Sequence, residues 1–480
     1  MLAAKQSFSF ILFGASGNLA KLKLYPALYT LALKKRLPEQ YNIVGYARTG
    51  MSQEEFREIV AESIKKDMIE VNPKTLQEFL SHVHYHTGQY DKKEDFEALG
   101  TLLDGLEKGW KNHVRLAYLS IPPDVIYPIL QNLCAANVDK HDGEFRCILE
   151  KPVGSDLPSF QKIKKQLTEC LKPDEIYLLD HYLGKEAVRN IYYLRQANPI
   201  FEHLLTNALV QHVEITASEP MGIEGRAGYF EHTGMLRDWF QSHLLMIMSA
   251  LTMSLKESDE ELLSSRLEAL SQIGLGTKNL DDVVIQGQYT EGTLNGKTVI
   301  GYKDEEGVAN DSRVHTFAAM KLLSDDQLWK GVPFYLRAGK RMTKKETRVT
   351  LQFKELRKNT AKNMMPNRLD IILIGEAGMR IVLQTKVGGT EPMFRPLILE
   401  DPLVCVGDCL PEHGLLLLEA IHGKKNWFLT FEEVEKAWKL IDPVQTYLDD
   451  QKTPLYSYAA GTDGPIEAKT WIERDGVSWF

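Results

Sequence analysis

Two segments of the sequence carry side chains that could do chemistry on a phosphorylated alcohol. The first reads Asp-His-Tyr-Leu-Gly-Lys from Asp180 and places His181 and Lys185 four residues apart. On a helical turn, residues i and i+4 share a face, so an imidazole and an ammonium would point at one small anion. Gly184 between them would leave room for that anion. We predict a phosphate clamp, with a helix N-terminus capped by Asp180 and solvated charges as the alternative.

The second segment centres on His243, which lies in an apolar helical pattern. A histidine in such a pattern is often a satisfied core residue. However, oxidation of an alcohol needs a base for the hydroxyl proton while the hydride leaves carbon, and a neutral imidazole suits that task. We predict His243 as this base and Asp180 as its orienting carboxylate. Asp238 lies about 140° from His243 around an α-helix, so we assign it to sugar hydroxyls instead.

A turn with two glycines follows the first predicted strand. The segment Gly14 to Lys21 reads Gly-Ala-Ser-Gly-Asn-Leu-Ala-Lys and opens a helical pattern. Its main chain would approach a pyrophosphate at a helix N-terminus. The spacing departs from GxGxxG, and a plain tight turn is the alternative.

Arg48 follows the second predicted strand, where a site that prefers NAD carries Asp or Glu. An arginine there would pair with a 2′-phosphate and stack on adenine, which favours NADP and leaves NAD as the second choice. A solvated surface arginine is the alternative. Two later strand ends bring Tyr118, Pro122 and Lys151 toward the same edge. Lys151 would bridge cofactor and substrate, unless it is an ordinary exposed lysine.

The apolar patterns predict two domains of different fold class. Residues 1–180 alternate short apolar runs with helical patterns, which predicts an α/β domain with a doubly wound parallel Rossmann-like sheet that binds a dinucleotide. Residues 181–480 predict an α+β domain with a large, mainly antiparallel sheet and few intervening helices, for substrate binding and oligomerisation. The predicted strands are Phe8 to Phe13, Asn42 to Tyr46, Val83 to Thr87, Val114 to Ser120, Phe145 to Glu150, Ile176 to Leu179, Val210 to Ala217, Val283 to Tyr289, Thr347 to Phe353, Leu369 to Ile374 and Met379 to Thr385. The predicted helices are Ser52 to Asp67, Asp124 to Ala136, Leu236 to Leu255 and Thr430 to Leu440.

The composition is that of an ordinary globular protein, with 480 residues, 44% apolar and 25% charged. A net charge of -8 argues against a nucleic-acid partner, because such proteins present a basic surface. No apolar run reaches the ~18 residues of a membrane span, and the N-terminus lacks a secretory signal pattern. We therefore expect a cytoplasmic protein without a membrane partner. The five cysteines are scattered, so we expect reduced thiols and no metal site.

Several long motifs make the sequence resemble the glucose-6-phosphate dehydrogenase family over nearly its whole length. They read GASGNLAK from Gly14, EKPVG from Glu150, DHYLGKE from Asp180, GRAGYF and LRDWFQSHLL up to Leu245, and GVPFYLRAGKRM from Gly331. The resemblance implies an NADP-dependent oxidoreductase that converts glucose 6-phosphate to 6-phosphogluconolactone, the first step of the oxidative pentose phosphate pathway. It also implies a homodimer or homotetramer.

Carried over position by position, the resemblance agrees with His243 as the base and Asp180 as its orienting acid. The substrate-binding residues it implies are His181, Tyr182, Lys185, Lys151, Glu219, Asp238, Lys340, Lys345 and Lys23. With the strand-end positions above, the predicted cofactor-binding residues are Gly14, Ala15, Ser16, Gly17, Asn18, Leu19, Ala20, Lys21, Arg48, Gln89, Tyr90, Tyr118, Pro122 and Lys151.

The sequence also departs from the family pattern at several positions. Asn18 stands where the glycine loop usually has Asp, Ser242 where Asn is usual, and His315 where Glu is usual. Ile374 falls near a usual Gln, and Asp463 replaces a Trp. Two other functions stay open: a related dehydrogenase for another hexose phosphate or sugar, and a nucleotide- or sugar-phosphate-sensing protein with weak turnover.

Overall fold

The chain divides into two compact units. The computed structural model describes residues 6–68, 70–122, 125–256, 258, 261–355, 364–402, 407–450 and 452–480. Unit 1 comprises Met1–Gly184 and Gly407–Phe431, and unit 2 comprises Lys185–Val406 and Glu432–Phe480. The sequence division between residues 180 and 181 did not anticipate that residues 407–431 join unit 1.

Unit 1 is built on a six-stranded sheet in the order β3-β2-β1-β4-β5-β6, with every pair parallel. Its strands are β1 Phe8–Phe13, β2 Tyr41–Ala47, β3 Val83–Thr87, β4 His113–Leu119, β5 Gly143–Glu150 and β6 Ile176–Leu179. The central strand β1 is buried along its whole length, which explains its continuous apolar run, because helices cover both faces of such a sheet. The predicted doubly wound parallel sheet is confirmed, and its predicted strands are all present.

Helices connect these strands, and several begin at a side-chain cap. They are α1 Tyr25–Leu33, α2 Gln53–Asp67, α3 Pro73–Ser81, α4 Lys93–Leu106, α5 Ile126–Ala135 and α6 Leu157–Thr168, with π-helix Ala20–Leu24 and 3-10 helix Pro173–Glu175. Ser52 caps α2 and accepts a hydrogen bond from the Glu55 main-chain N–H at 3.1 Å, a capping box. The second predicted helix is present as α5, and its predicted start at Asp124 lies outside the described residues.

The prediction that all cysteines are reduced is wrong. Cys134 at the end of α5 and Cys170 beyond α6 form a disulfide with a Cα–Cα distance of 6.1 Å, and Cys409 is also disulfide-bonded. Among the described cysteines, Cys147 keeps a free thiol and is buried. Scattered positions in the sequence gave no sign that α5 and the end of α6 lie side by side.

Unit 2 contains a ten-stranded sheet in the order β17-β16-β15-β14-β7-β13-β12-β9-β18, with β8 paired to β12. Its strands, with the separate β10-β11 hairpin, are β7 Val210–Ser218, β8 Ile273–Gly274, β9 Val284–Thr290, β10 Gly292–Leu294, β11 Lys297–Val299, β12 Phe317–Ser324, β13 Phe334–Gly339, β14 Glu346–Phe353, β15 Arg368–Ile374, β16 Gly378–Lys386, β17 Phe394–Pro402 and β18 Tyr456–Ala459. The pairs β7-β13 and β9-β18 are parallel and the others are antiparallel. The predicted, mainly antiparallel sheet is confirmed.

Helices are more frequent in the second half than the sequence predicted. They are α7 Glu186–Ala197, α8 Pro199–Leu204, α9 Ala227–Met235, α10 Leu245–Thr252, α11 Leu262–Ser271, α12 Glu412–Ile421, α13 Phe431–Asp449 and α14 Ile466–Glu473, with π-helix Leu236–Leu244 and 3-10 helices Leu280–Asp282 and Tyr302–Asp304. Of these, α12 belongs to unit 1. The predicted helix Leu236 to Leu255 is therefore a π-helix followed by α10. The α10 part of this helix is buried on every side.

No helix among the described residues has both the length and the apolar character needed to cross a bilayer.

Candidate active site

The carboxyl ends of the parallel strands in unit 1 meet at one edge of the sheet. Residues predicted from the sequence follow these ends: Gly14 after β1, Arg48 after β2, Gln89 and Tyr90 after β3, Pro122 after β4, Lys151 after β5 and Asp180 after β6, while Tyr118 lies in β4 itself. In open α/β sheets this edge is where ligands bind. The fold thus gathers the predicted cofactor residues of unit 1 along one edge.

The turn after β1 admits only glycine at its first position. Gly14 has φ +80°, and a Cβ there would overlap the carbonyl oxygen of Ser120. The Gly14 N–H donates to the Tyr46 carbonyl at 3.0 Å, and the Gly17 N–H donates to the Gly14 carbonyl at 2.9 Å. These contacts fold the main chain tightly against the ends of β2 and β4. The chain then enters a helix, which leaves its N-terminus at the sheet edge, the arrangement that binds phosphate groups.

A cation and an aromatic ring lie beside this turn. The guanidinium of the exposed Arg48 is 5.4 Å from the ring centroid of the buried Tyr90. Burial raises the pKa of Tyr90, while Arg48 and the Gly14 main chain oppose that rise. The neighbouring Gln89 is fixed through its main chain, because its carbonyl accepts from the Tyr46 hydroxyl at 2.9 Å. Arg48 therefore has a defined place next to the glycine turn, with its charge open to an anion.

A group of three residues that the sequence did not indicate as a unit lies at the ends of β4 and β5. The Tyr118 hydroxyl donates to the Glu150 carboxylate, and the His413 Nε2 is 3.5 Å from Glu150 Oε1. Burial raises the pKa of Tyr118 well above its usual value, so the phenol stays protonated and donates. His413 comes from α12, and no spacing in the sequence connects that distant helix with the motif at Glu150. Lys151, the next residue, is half-buried.

The segment after β6 is a turn, which corrects the helical geometry assumed for the clamp. The Leu183 N–H donates to the Asp180 carbonyl at 3.0 Å, and the Gly184 N–H donates to the His181 carbonyl at 3.1 Å. Lys185 has extended backbone angles and is the N-cap of α7, which begins at Glu186. His181 and Lys185 consequently do not share the face of one helical turn. Asp180 is fully buried, and its carboxylate accepts from the Tyr182 N–H at 2.9 Å.

Gly184 also has a role different from the predicted one. A Cβ there would lie 2.7 Å from Leu416 Cδ1 and 2.8 Å from the Glu412 carbonyl oxygen. Both neighbours belong to α12. The missing side chain therefore lets the turn pack closely against α12 and does not open space for a ligand.

In unit 2, the segment that carries Asp238 and His243 is wound as a π-helix, Leu236–Leu244. In this winding the main-chain hydrogen bond joins residues five apart, and Asp238 and His243 are five apart. They therefore lie on nearly the same side, and the prediction of separate faces, which assumed an α-helix, is wrong. His243 is 4% exposed, with the Trp239 ring edge-on at 5.5 Å.

Two carboxylates predicted to bind substrate, Asp238 and Glu219, have polar partners in unit 2. The Tyr229 hydroxyl donates to Asp238 Oδ1 at 3.2 Å; burial, assisted by that carboxylate, raises the Tyr229 pKa. Lys340 donates to Glu219 Oε2 at 2.8 Å and lies 5.3 Å from the Phe230 ring centroid. The structure thus brings together Lys340 and Glu219, two residues predicted to bind substrate. The predicted Lys345 is exposed, as is Lys23 on the first π-helix.

Comparisons with known proteins give one consistent result. The family model described as "Glucose-6-phosphate dehydrogenase, NAD binding domain" matches residues 11–190, and "Glucose-6-phosphate dehydrogenase, C-terminal domain" matches residues 192–480. The Bacillus subtilis protein "Glucose-6-phosphate 1-dehydrogenase" is 35% identical, covering 98% of this chain and 97% of the relative. The Schizosaccharomyces pombe protein of that name is 37% identical, with 99% and 95% covered.

Solved structures agree with these sequence relatives. The structure described as "Glucose-6-phosphate dehydrogenase in complex with its substrate glucose-6-phosphate" superposes with a TM-score of 0.92 at 29% identity, covering 100% of both chains. "Glucose-6-phosphate 1-dehydrogenase from Mycobacterium avium" gives a TM-score of 0.83 at 25% identity, covering 99% of both chains.

Proposed function

The chain belongs to the glucose-6-phosphate dehydrogenase family, and we propose that it oxidises glucose 6-phosphate at C1 to 6-phosphogluconolactone, with hydride transfer to NADP. This is the first step of the oxidative pentose phosphate pathway. The similarity over the full length of the chain carries the proposal, because it spans both the dinucleotide-binding part and the part that carries His243.

The proposed chemistry needs one base on the protein. As C1 loses its hydride, the C1 hydroxyl proton passes to the His243 imidazole and the C1–O bond becomes a carbonyl, which leaves the lactone. A bound nicotinamide supplies the hydride acceptor. His243 is buried and its imidazole lies edge-on to the Trp239 ring, an enclosed setting that supports this assignment. We propose Asp180 as the carboxylate that stabilises the imidazolium.

For the cofactor, a nicotinamide dinucleotide fits the residues of unit 1. Any side chain at Gly14 would clash with the Ser120 carbonyl and disturb the tight turn, and the helix that follows offers its N-terminal N–H groups to a pyrophosphate. We propose more specifically that this dinucleotide is NADP and not NAD. It is supported by the exposed Arg48 guanidinium over Tyr90, since a cation at this strand end favours a 2′-phosphate over a 2′-hydroxyl.

We further propose that His181, Tyr182 and Lys185 bind the 6-phosphate. Replacing Lys185 by Ala should raise the KM for glucose 6-phosphate roughly tenfold to a hundredfold, the worth of a charge-assisted hydrogen bond. Steady-state kinetics measure this. Lys469→Ala, on an exposed face of α14, is the control that should leave KM unchanged. An unaltered KM in Lys185→Ala would place the phosphate elsewhere.

The proposal also includes a homodimer or homotetramer in the cytoplasm. Strand β17 at the edge of the large sheet exposes Leu397, Ile398 and Leu399, with 37%, 55% and 51% of their surfaces accessible. Apolar groups in a row on an edge strand favour association. Analytical ultracentrifugation measures the oligomeric state, and a monomer at all concentrations would contradict it. Cell fractionation tests the compartment.

The direct experiment follows the absorbance of reduced nicotinamide after purified protein is mixed with glucose 6-phosphate and either NADP or NAD. We expect reduction with both the sugar phosphate and NADP present, and slower or no reduction with NAD. No reduction with either cofactor would contradict the proposed function. Equal activity with unphosphorylated glucose would instead indicate a dehydrogenase for another sugar.

A further inference from the structure

His315 holds the start of the helix that carries Asp238 and His243. Its Nε2 accepts a hydrogen bond from the Leu236 main-chain N–H at 3.2 Å, and its main-chain carbonyl accepts from the Met235 N–H at 3.2 Å. The first N–H groups of a helix have no partner within the helix. One residue from a distant part of the chain therefore supplies acceptors to two successive N–H groups.

The helical conformation is interrupted just before this point, at Gly234. Its backbone angles, φ 60° and ψ −179°, lie outside the helical region inside the segment Ala227–Met235, in a region that essentially only glycine adopts. A Cβ on Gly234 would approach His315 Cε1 to 2.8 Å. The glycine therefore both interrupts the preceding helix and leaves room for the imidazole, so the segment from Leu236 onward starts afresh against His315.

The His315 ring is a neutral acceptor in this position. A ring nitrogen that accepts a hydrogen bond carries no proton, so the proton of the neutral imidazole is on Nδ1. His315 is 3% exposed, and burial, with a smaller contribution from Arg237, lowers its pKa to about 3. The bond to Leu236 is thus retained across the neutral pH range.

The large sheet of unit 2 supports the main chain next to the His315 ring. The next residue, Thr316, donates its N–H to the Gly287 carbonyl at 2.8 Å, and β12 begins at Phe317. The main chain on one side of His315 is therefore part of the sheet of unit 2. A side chain mounted in this way couples the position of the sheet to the helix, because Thr316, the residue after His315, is hydrogen-bonded to Gly287 of the sheet.

We propose that His315 is a positioning residue: through the Leu236 N–H it sets the rotation and start of the π-helix, and so the placement of Asp238 and His243. The π winding makes this placement sensitive, since the two side chains share a side only while the residue spacing of that winding is kept. The inference rests on the proposed function, because it concerns the residues assigned to proton transfer and sugar binding.

The test compares three substitutions of His315 by steady-state kinetics and thermal unfolding. His315→Leu removes the acceptor at similar size, His315→Gln supplies an uncharged acceptor oxygen, and His315→Asn carries that oxygen on a shorter side chain. A displacement of about 1 Å at a reacting group costs on the order of 10²-fold in rate. We expect His315→Leu to lower kcat by about 10-fold to 100-fold, to raise the KM for the sugar phosphate, and to leave the cofactor Kd unchanged.

His315→Gln should restore most of kcat, and His315→Asn should fold but stay slow. The control is Thr350→Val, which removes the buried hydrogen bond from Thr350 to Asp370 in the same sheet. It should lower the unfolding midpoint without changing kcat. If His315→Leu does not fold, the difference in kcat between Gln and Asn decides the question.

The positioning role would be overturned if His315→Leu kept the wild-type kcat, even with lower stability. It would also be overturned if His315→Gln and His315→Asn had equal kcat values. An inactive wild-type protein would contradict the proposed function instead, so the two failures are distinct.

Discussion

Two glycines with positive φ, Gly14 and Gly234, each stand before a helix that carries proposed site residues, yet they are built differently. Gly14 is held by main-chain groups at the ends of neighbouring strands, Tyr46 and Ser120. Gly234 lies against a side chain from a distant segment, His315, which accepts a hydrogen bond from the Leu236 N–H. We call Gly14 and its main-chain contacts the main-chain device, and we propose that it offers its own N–H groups to a ligand. We call Gly234 with His315 the side-chain device; in our proposal it orients Asp238 and His243, and it depends on one long-range contact, the hydrogen bond from the Leu236 N–H to His315.

We expect the largest effect from a substitution of His243, which lies on the helix that follows the side-chain device. Replacing His243 by Asn should lower kcat by about 10² to 10⁴ while the sugar KM changes little, because a positioned base acts mainly in the transition state. Steady-state kinetics with glucose 6-phosphate measure this. If kcat were unchanged, the helix at His243 would be a structural element and the contrast with the glycine turn would disappear.

The main-chain device should respond to a single methyl group. Gly14→Ala places a Cβ against the Ser120 carbonyl and forces a non-glycine residue to φ +80°, a strain of about 1–3 kcal/mol. Cofactor Kd, measured by calorimetry, should rise roughly tenfold to a hundredfold. Gly105→Ala in α4, where a Cβ meets nothing within 4 Å, is the control and should slightly stabilise the protein. Equal cofactor binding in both variants would mean that the turn is not a ligand cradle.

Substitution of Arg48 tests whether the cofactor site at the main-chain device prefers NADP over NAD. Arg48→Ala should narrow the NADP over NAD preference by about tenfold, and Arg48→Lys should keep part of it, since lysine retains the charge but not the planar guanidinium that lies near the Tyr90 ring. The ratio of kcat/KM with the two cofactors measures the preference. An equal loss with NADP and NAD would make Arg48 structural.

The smallest effect is a difference in acid stability at the side-chain device. Because burial lowers the pKa of His315 from 6.5 to about 3, the unfolded chain binds the proton first as pH falls. The stability this neutral histidine contributes is fully present above about pH 6.5 and is lost progressively toward pH 3. Denaturant unfolding across this range should show a steeper loss for the wild type than for His315→Gln. Parallel curves would mean that His315 is not a buried neutral acceptor.

The sequence predicted the main-chain device well because its determinants are local. The strand Phe8–Phe13 is an unbroken apolar run, and Gly14 follows it directly, so the strand, the turn and the helix after it could be read from neighbouring residues. The same holds for α2, whose N-terminus is marked by Ser52 and Glu55.

The parts that escaped prediction depend on contacts between distant residues. Nothing in the letters of Leu236–Leu244 distinguishes π from α winding, so Asp238 was assigned to the wrong side of its helix relative to His243. Gly184 was assigned to a ligand because its real neighbour, α12, lies far along the chain. The Cys134–Cys170 disulfide and the approach of His413 to Glu150 escaped for the same reason.

Our central proposal is that Asp180 serves His243 as the second member of one catalytic pair. A double-mutant cycle with Asp180→Asn, His243→Asn and the double variant, read out as kcat, tests it most directly. We predict that the double variant loses no more than the more impaired single variant, as for residues that act as a unit. Losses that multiply would show that the two residues act independently, and would contradict the claim.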